Sequence, residues 1–181
     1  MSLGDPQKTQ NPPLSDQANE TFEKVTKYEA MEKTFIALNK NVKSFILRNK
    51  DNNLRKEAAQ FVVSYLMLSL QKHDDQEIAD ILSTEGAVEE LVNYDQVANV
   101  ARLMGAVEDK AKSQILKTPG VIRVITSSKA QETPTIQAQF SHITAILINE
   151  MHSLLHEEKA LEEPAIKGEE VTADFQPPEI K

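Results

Sequence analysis

The sequence predicts an all-α protein: a single irregular helical bundle of three or four long helices plus short connecting helices, between disordered termini. Three observations carry that prediction. Apolar residues recur at alternating steps of three and four along the chain. Helix start and stop signals separate the periodic segments, and the five glycines form no series of turns such as a sheet would need.

Residues 1–17, with Pro6, Pro12 and Pro13 among Asn, Gln, Ser and Asp, have too little apolar content to offset the entropy of ordering and read as a disordered lead-in. A long first helix follows, capped by Asp16 or Asn19 and running to about Arg48. Tyr28, Met31, Phe35, Leu38, Val42 and Phe45 form one stripe along it, which Phe22 and Val25 extend toward the N-terminus. The NKDNN stretch at 49–53 ends it, because Asn and Asp side chains bond local backbone groups and favour caps and turns. Leu54 to Lys72 is apolar around much of its circumference and is predicted to be the buried centre of the bundle.

Asp74 or Asp75 then caps a short helix carrying Ile78, Ile81 and Leu82, and Ser83 or Thr84 caps another with Val88, Leu91 and Val92. A further helix is predicted from about Asp95 to Lys117 on the stripe Val97, Val100, Met104, Val107 and Ala111. VIRVIT, from Val121, suits a strand by β-branching and a helix by its spacing; with no partner strand in the chain, a short helix is preferred. Thr133-Pro134 opens the last long helix, lined by Ile136, Phe140, Ile143, Leu147, Met151, Leu154 and Leu155. The helical domain spans 18–161, and 162–181 is an acidic, proline-containing tail. The sequence reads as having no internal repeat and no low-complexity tract.

The stripe from Tyr28 to Phe45 sustains little more than two heptads, and Ile36, Ile46 and Leu47 widen it beyond a coiled-coil seam, so packing within the chain is expected over self-assembly. A homodimer stays open. The Phe22–Tyr28 end is expected to overhang the second helix and offer a docking edge.

The net charge of −8 is segregated. Nine Lys/Arg lie between Lys24 and Lys56, eight acids and no base between Asp74 and Ala101, and nine acids against three lysines from Glu150 onward. Lys40, Lys43, Arg48, Lys50, Arg55 and Lys56 cluster near the first inter-helix turn and could hold an anion or nucleic acid by phosphate neutralisation. Net acidity and the lack of interleaved aromatics argue against nucleic acid, and an acidic protein surface or this chain's own tail is the preferred partner. Asp74, Asp75, Glu89 and Glu90 belong to the mirror block, suited to steering a basic protein patch. In the tail, Val171, Phe175 and Ile180 are spaced hydrophobes that could fold onto a groove.

Catalytic patterns are not met. With no cysteine there is no thiolate chemistry or Cys-ligated metal, and no nucleophile elbow, Walker loop or dinucleotide fingerprint occurs. His152 and His156 stand one helical turn apart, but Ser153 occupies the position where the zincin pattern places Glu, so they are weak metal candidates only. The expectation is a cytoplasmic, non-enzymatic adaptor or chaperone-like subunit without a cofactor and without membrane insertion. It would dock into a larger protein assembly through charged surfaces and tails. A metal- or ligand-binding bundle and an anion binder are the alternatives.

Overall fold

The computed structural model describes residues 16–162 and Glu179. All regular structure among these residues is helical: α1 (Asp16–Ala37), α2 (Val42–Leu47), α3 (Asn52–Gln71), α4 (Asp75–Leu82), α5 (Ala87–Asn93), α6 (Val97–Ala106), α7 (Asp109–Leu116), α8 (Val121–Ile125) and α9 (Pro134–Glu162). The all-α prediction is therefore met, and VIRVIT is helical. Three of the helices are long, α1, α3 and α9 with 22, 20 and 29 residues, and the others are short.

Two long helices expected from the periodicity are each broken in two. The first ends at Ala37, where Asn39 and Lys40 both take φ 54° and Lys40 N–H bonds the Phe35 carbonyl at 2.9 Å. Asn is among the few residues with a side chain that visits this left-handed region readily. Asn41 then caps α2, its Oδ1 accepting from Ser44 N–H at 2.9 Å. The second break is at Val107 and Glu108, both extended, where Glu108 N–H donates to Asp75 Oδ2 at 2.8 Å. The three–four spacing ran across both breaks because the helices on either side bury into one core, and periodicity alone does not register a change of axis.

Short helices and a common core give an arrangement of three layers, α1–α2–α3, α4–α5–α6 and α7–α8–α9. Each helix of the second layer packs on its counterpart in the third, α4 on α7, α5 on α8 and α6 on α9; α2 packs on α5 and α3 on α6 in the same way. Adjacent layers are also bridged by α3 on α4 and α6 on α7. This is nearest-neighbour stacking of the kind found in helical solenoids, where each unit buries its apolar face against the next.

The stacking rests on an internal repeat, contrary to the expectation of none. Ile81-Leu82-Ser83-Thr84-Glu85-Gly86 and Ile115-Leu116-Lys117-Thr118-Pro119-Gly120 lie 34 positions apart. They form the same turn. Gly86 (φ 74°) and Gly120 (φ 87°) are both left-handed, Ala87 N–H bonds the Thr84 carbonyl at 3.1 Å, and Val121 N–H bonds the Thr118 carbonyl at 3.2 Å. So neither Ser83 nor Thr84 caps α5, and Pro119 lies in the turn and not inside α8. Thr84 Oγ1 donates to the Ile81 carbonyl at 2.8 Å and Thr118 Oγ1 to the Gln114 carbonyl at 3.1 Å, closing each preceding helix. After each turn the same positions point inward: Ala87 and Val121, then Leu91 and Ile125, with Val42 and Ile46 in the matching places of α2. The repeat hides in sequence because within the turn only Ile, Leu, Thr and Gly recur identically.

The first layer is built differently. Phe35, Phe45 and Phe61 lie with ring centroids 5.1–5.9 Å apart, and Tyr65 meets Phe35 at 5.4 Å. Such ring pairs add about 0.5–1.5 kcal/mol each beyond area burial. The other two layers have aliphatic cores, with Phe140 the one buried ring from α9. Phe35, Val42 and Leu66 are fully buried, as the inward-facing stripe requires.

Candidate interaction surface

The basic and acidic blocks meet each other. Stacking of the first layer on the second brings the α1–α2 turn over α4, and Lys40 pairs with Glu77. The same carboxylate accepts from Tyr65 O–H at 3.1 Å and from Ser69 O–H at 3.2 Å. Burial alone would push the Glu77 carboxyl up; the hydrogen bonds from Lys40 and Tyr65 outweigh it and hold Glu77 below the ordinary carboxylate range. The hydrogen bond to Glu77 raises the Lys40 amine in turn. Lys56 reaches Asp95 at 3.0 Å. Arg55 donates to the Asn49 carbonyl at 2.6 Å and to Tyr94 Oη at 3.2 Å. These three cations of the basic block are thus occupied within the chain.

Lys43, Arg48 and Lys50 are partnered differently or not at all. Lys43 lays its aliphatic stem over Gly86, so close that a Cβ there would lie 2.9 Å from Lys43 Cδ. Arg48 and Lys50 are exposed and make no ion pair among the described residues. On the acidic side, Asp74 caps α4, accepting from Glu77 N–H at 3.1 Å, and Asp75 accepts from Glu108 N–H as described above. Glu89 faces Arg123 of the next layer at 3.8 Å. Burial raises the Glu90 carboxyl, Lys43 opposing this. Three of the four acids named from sequence, Asp74, Asp75 and Glu89, thus act at helix ends or between layers.

The apolar candidates divide in the same manner. Phe22 is 69% exposed and Val25 is also in the open, so the stripe of α1 does run past the folded core. Tyr28 is not part of that exposed end: its ring lies 4.8 Å from Phe61, and burial raises its phenol. Its hydroxyl is buried without a hydrogen-bond partner among the described residues. Phe175 lies outside the described residues. His152 and His156 are both exposed on α9, and among the described residues no group of three or more His, Cys, Asp or Glu is placed to hold a metal ion.

At the far end of the molecule the structure departs from the expected inward stripe, which ran on through Met151 and Leu155. Beyond Leu147, α9 continues with Ile148, Met151 and Leu155 each about half exposed, a second stripe beside the buried one. Between α9 and α7 runs an open groove of about 790 Å³, whose lining includes Lys110, Ser113, Gln114, Lys117 and Glu150. Ser113 O–H donates to Glu150 and Lys117 pairs with the same carboxylate at 3.2 Å, which together hold it below the usual range. The three–four spacing assigns Met151 and Leu155 to the inward stripe with Ile148 beside it, so spacing alone does not show where burial along α9 stops.

The chain matches no family model, no curated protein and no solved structure. Its surface must be read from its own residues. Among those described, no helix is long and apolar enough to cross a membrane.

Proposed function

We propose that the protein is a non-enzymatic helical adaptor subunit of the cytoplasm that docks into a larger protein assembly. One observation carries the reading. The apolar stripe that buries Phe35 in α1 continues outward through the open Val25 and Phe22, so a helix already folded on one side presents an unfilled apolar edge. Exposed apolar residues at helical spacing suit a groove or helix of another protein, which gains their burial without reordering the fold. Stacked repeats supply a rigid frame for such an edge.

Charge has a different place in this reading from the one its distribution in sequence suggests. Lys40 and Lys56 neutralise Glu77 and Asp95 of the same chain, so the remaining cations, Arg48 and Lys50, would steer a partner and not anchor it. The test is Phe22→Glu with Val25→Glu, two exposed sites whose change leaves the circular dichroism and melting midpoint unaltered. In-cell cross-linking should then lose a defined partner that the parent chain captures. Retention of every cross-linked partner by the doubly substituted protein contradicts the proposal.

A further inference from the structure

The repeat specifies what the groove between α7 and α9 is shaped to hold. In the second layer the equivalent face of α4 is already filled, by α7. Gln114 Nε2 donates to Asp80 Oδ1 at 2.9 Å, Gln76 Nε2 donates to Gln114 Oε1 at 3.0 Å, and Asp75 accepts the N–H that begins α7. Shifting by 34 positions turns Asp75, Gln76, Ala79, Asp80 and Ser83 into Asp109, Lys110, Ser113, Gln114 and Lys117. Those five residues line the open groove. It is the seat of a first helix in a fourth layer.

The chain contains a segment that matches at the first and at the fifth to seventh positions, with Gln176 where Leu82 and Leu116 are buried. Residues 169–176, EEVTADFQ, align without gaps on DKAKSQIL of α7 and DQEIADIL of α4. Acids open all three segments. The fifth position is small in each (Ala79, Ser113, Ala173), the sixth is Asp or Gln, and the seventh is Ile81, Ile115 or Phe175. Pro177 follows at the place where a helix of this length must stop. Charge agrees at Lys110, which replaces Gln76 and makes no ion pair among the described residues, whereas Lys117 is already paired with Glu150; the segment brings Glu169, Glu170 and Asp174. Reach is sufficient. From Glu150 to Glu162 the helix rises about 18 Å, and residues 163–168 can span about 20 Å when extended.

We propose that residues 169–176 dock as a short helix in the groove between α7 and α9, placing Val171 and Phe175 against the terminal layer and Asp174 beside Lys110. The segment then completes the stack from within the chain, covering a face that would otherwise take an acidic amphipathic helix of another molecule.

The absence of cysteine from the chain allows a direct test in the full-length protein. Lys110→Cys is combined with Asp174→Cys, and Lys24→Cys with Asp174→Cys serves as the control, Lys24 lying exposed on α1. Under oxidised glutathione the first pair should close an intramolecular disulfide at least tenfold faster than the control. Adding Phe175→Glu should return it to the control rate. Equal rates for the two pairs overturn the proposal, and so does a disulfide-linked dimer as the main product, which would assign the groove to a second copy.

Discussion

The turns at Gly86 and Gly120 have the same left-handed glycine, the same threonine and the same backbone hydrogen bonds, yet they sit in different surroundings. After Gly86, Val88 is 1% exposed, beside Pro119, Gly120, Val121 and Val124 of the next layer. Ile122, which holds the equivalent position after Gly120, is 37% exposed because no further α-helix stacks on it among the described residues. A larger and more apolar side chain is therefore the more exposed of the two. Local sequence sets the turn, and position in the stack sets the burial.

The comparison breaks first in the core that both turns share. Leu91→Ala and Ile125→Ala each remove a fully buried side chain and should each cost about 2–5 kcal/mol in chemical denaturation. A large loss at one and none at the other would mean that the two layers are not equivalent. The turns themselves come next. Alanine at either glycine meets the left-handed penalty of about 1–2 kcal/mol. Gly86→Ala should cost more than Gly120→Ala, because its Cβ also displaces Lys43, whereas the nearest atom at Gly120 is Arg123 Nη2 at 3.8 Å. Thermal unfolding of the two variants, with Lys43→Ala added to Gly86→Ala to relieve the contact, measures the difference.

A smaller effect sharpens the contact between the first two layers. Glu77→Gln weakens the hydrogen bonds from Lys40 and Tyr65 and should cost about 1–2 kcal/mol at neutral pH. Because the folded-state Glu77 carboxyl is depressed, its contribution is present above the ordinary carboxylate range and is lost as pH falls through the folded value. Stability of the parent should therefore decline toward acid more steeply than that of Glu77→Gln. For Lys40 the sign is reversed: the amine is raised on folding, so its contribution is lost only as pH climbs through that raised value. Parallel acid profiles for parent and variant would remove the clasp from the account.

Much of this was legible in the sequence, and the rest fails for identifiable reasons. The helices at 52–71 and 134–162 follow from their apolar spacing and flanking signals, and Thr133 Oγ1 does accept from Ile136 N–H at 3.3 Å. Asp51, within the stretch read as a break, caps α3 by accepting from Asn53 N–H at 2.7 Å. The breaks at Asn39 and Val107 escaped because the stripe stays in phase across them; the first carries no Gly or Pro, and Gly105, two positions before Val107, lies within the periodic segment. Layering escaped because it depends on which helix each short helix packs against, and the repeat that dictates it is reduced to a few recurring residues. The pairing of Lys40 with Glu77, 37 residues apart, is a consequence of that layering, so charge blocks that looked like an outward-facing surface proved in part to face each other.

Positions 88 and 122 offer the most direct measurement of the stacked-layer account. Val88→Ala and Ile122→Ala, compared by urea denaturation at one pH and ionic strength, test whether burial follows layer position and not local sequence. The account predicts a loss of about 2 kcal/mol for Val88→Ala and under about 0.5 kcal/mol for Ile122→Ala, although isoleucine loses the larger side chain. An equal or greater loss at Ile122 would contradict it.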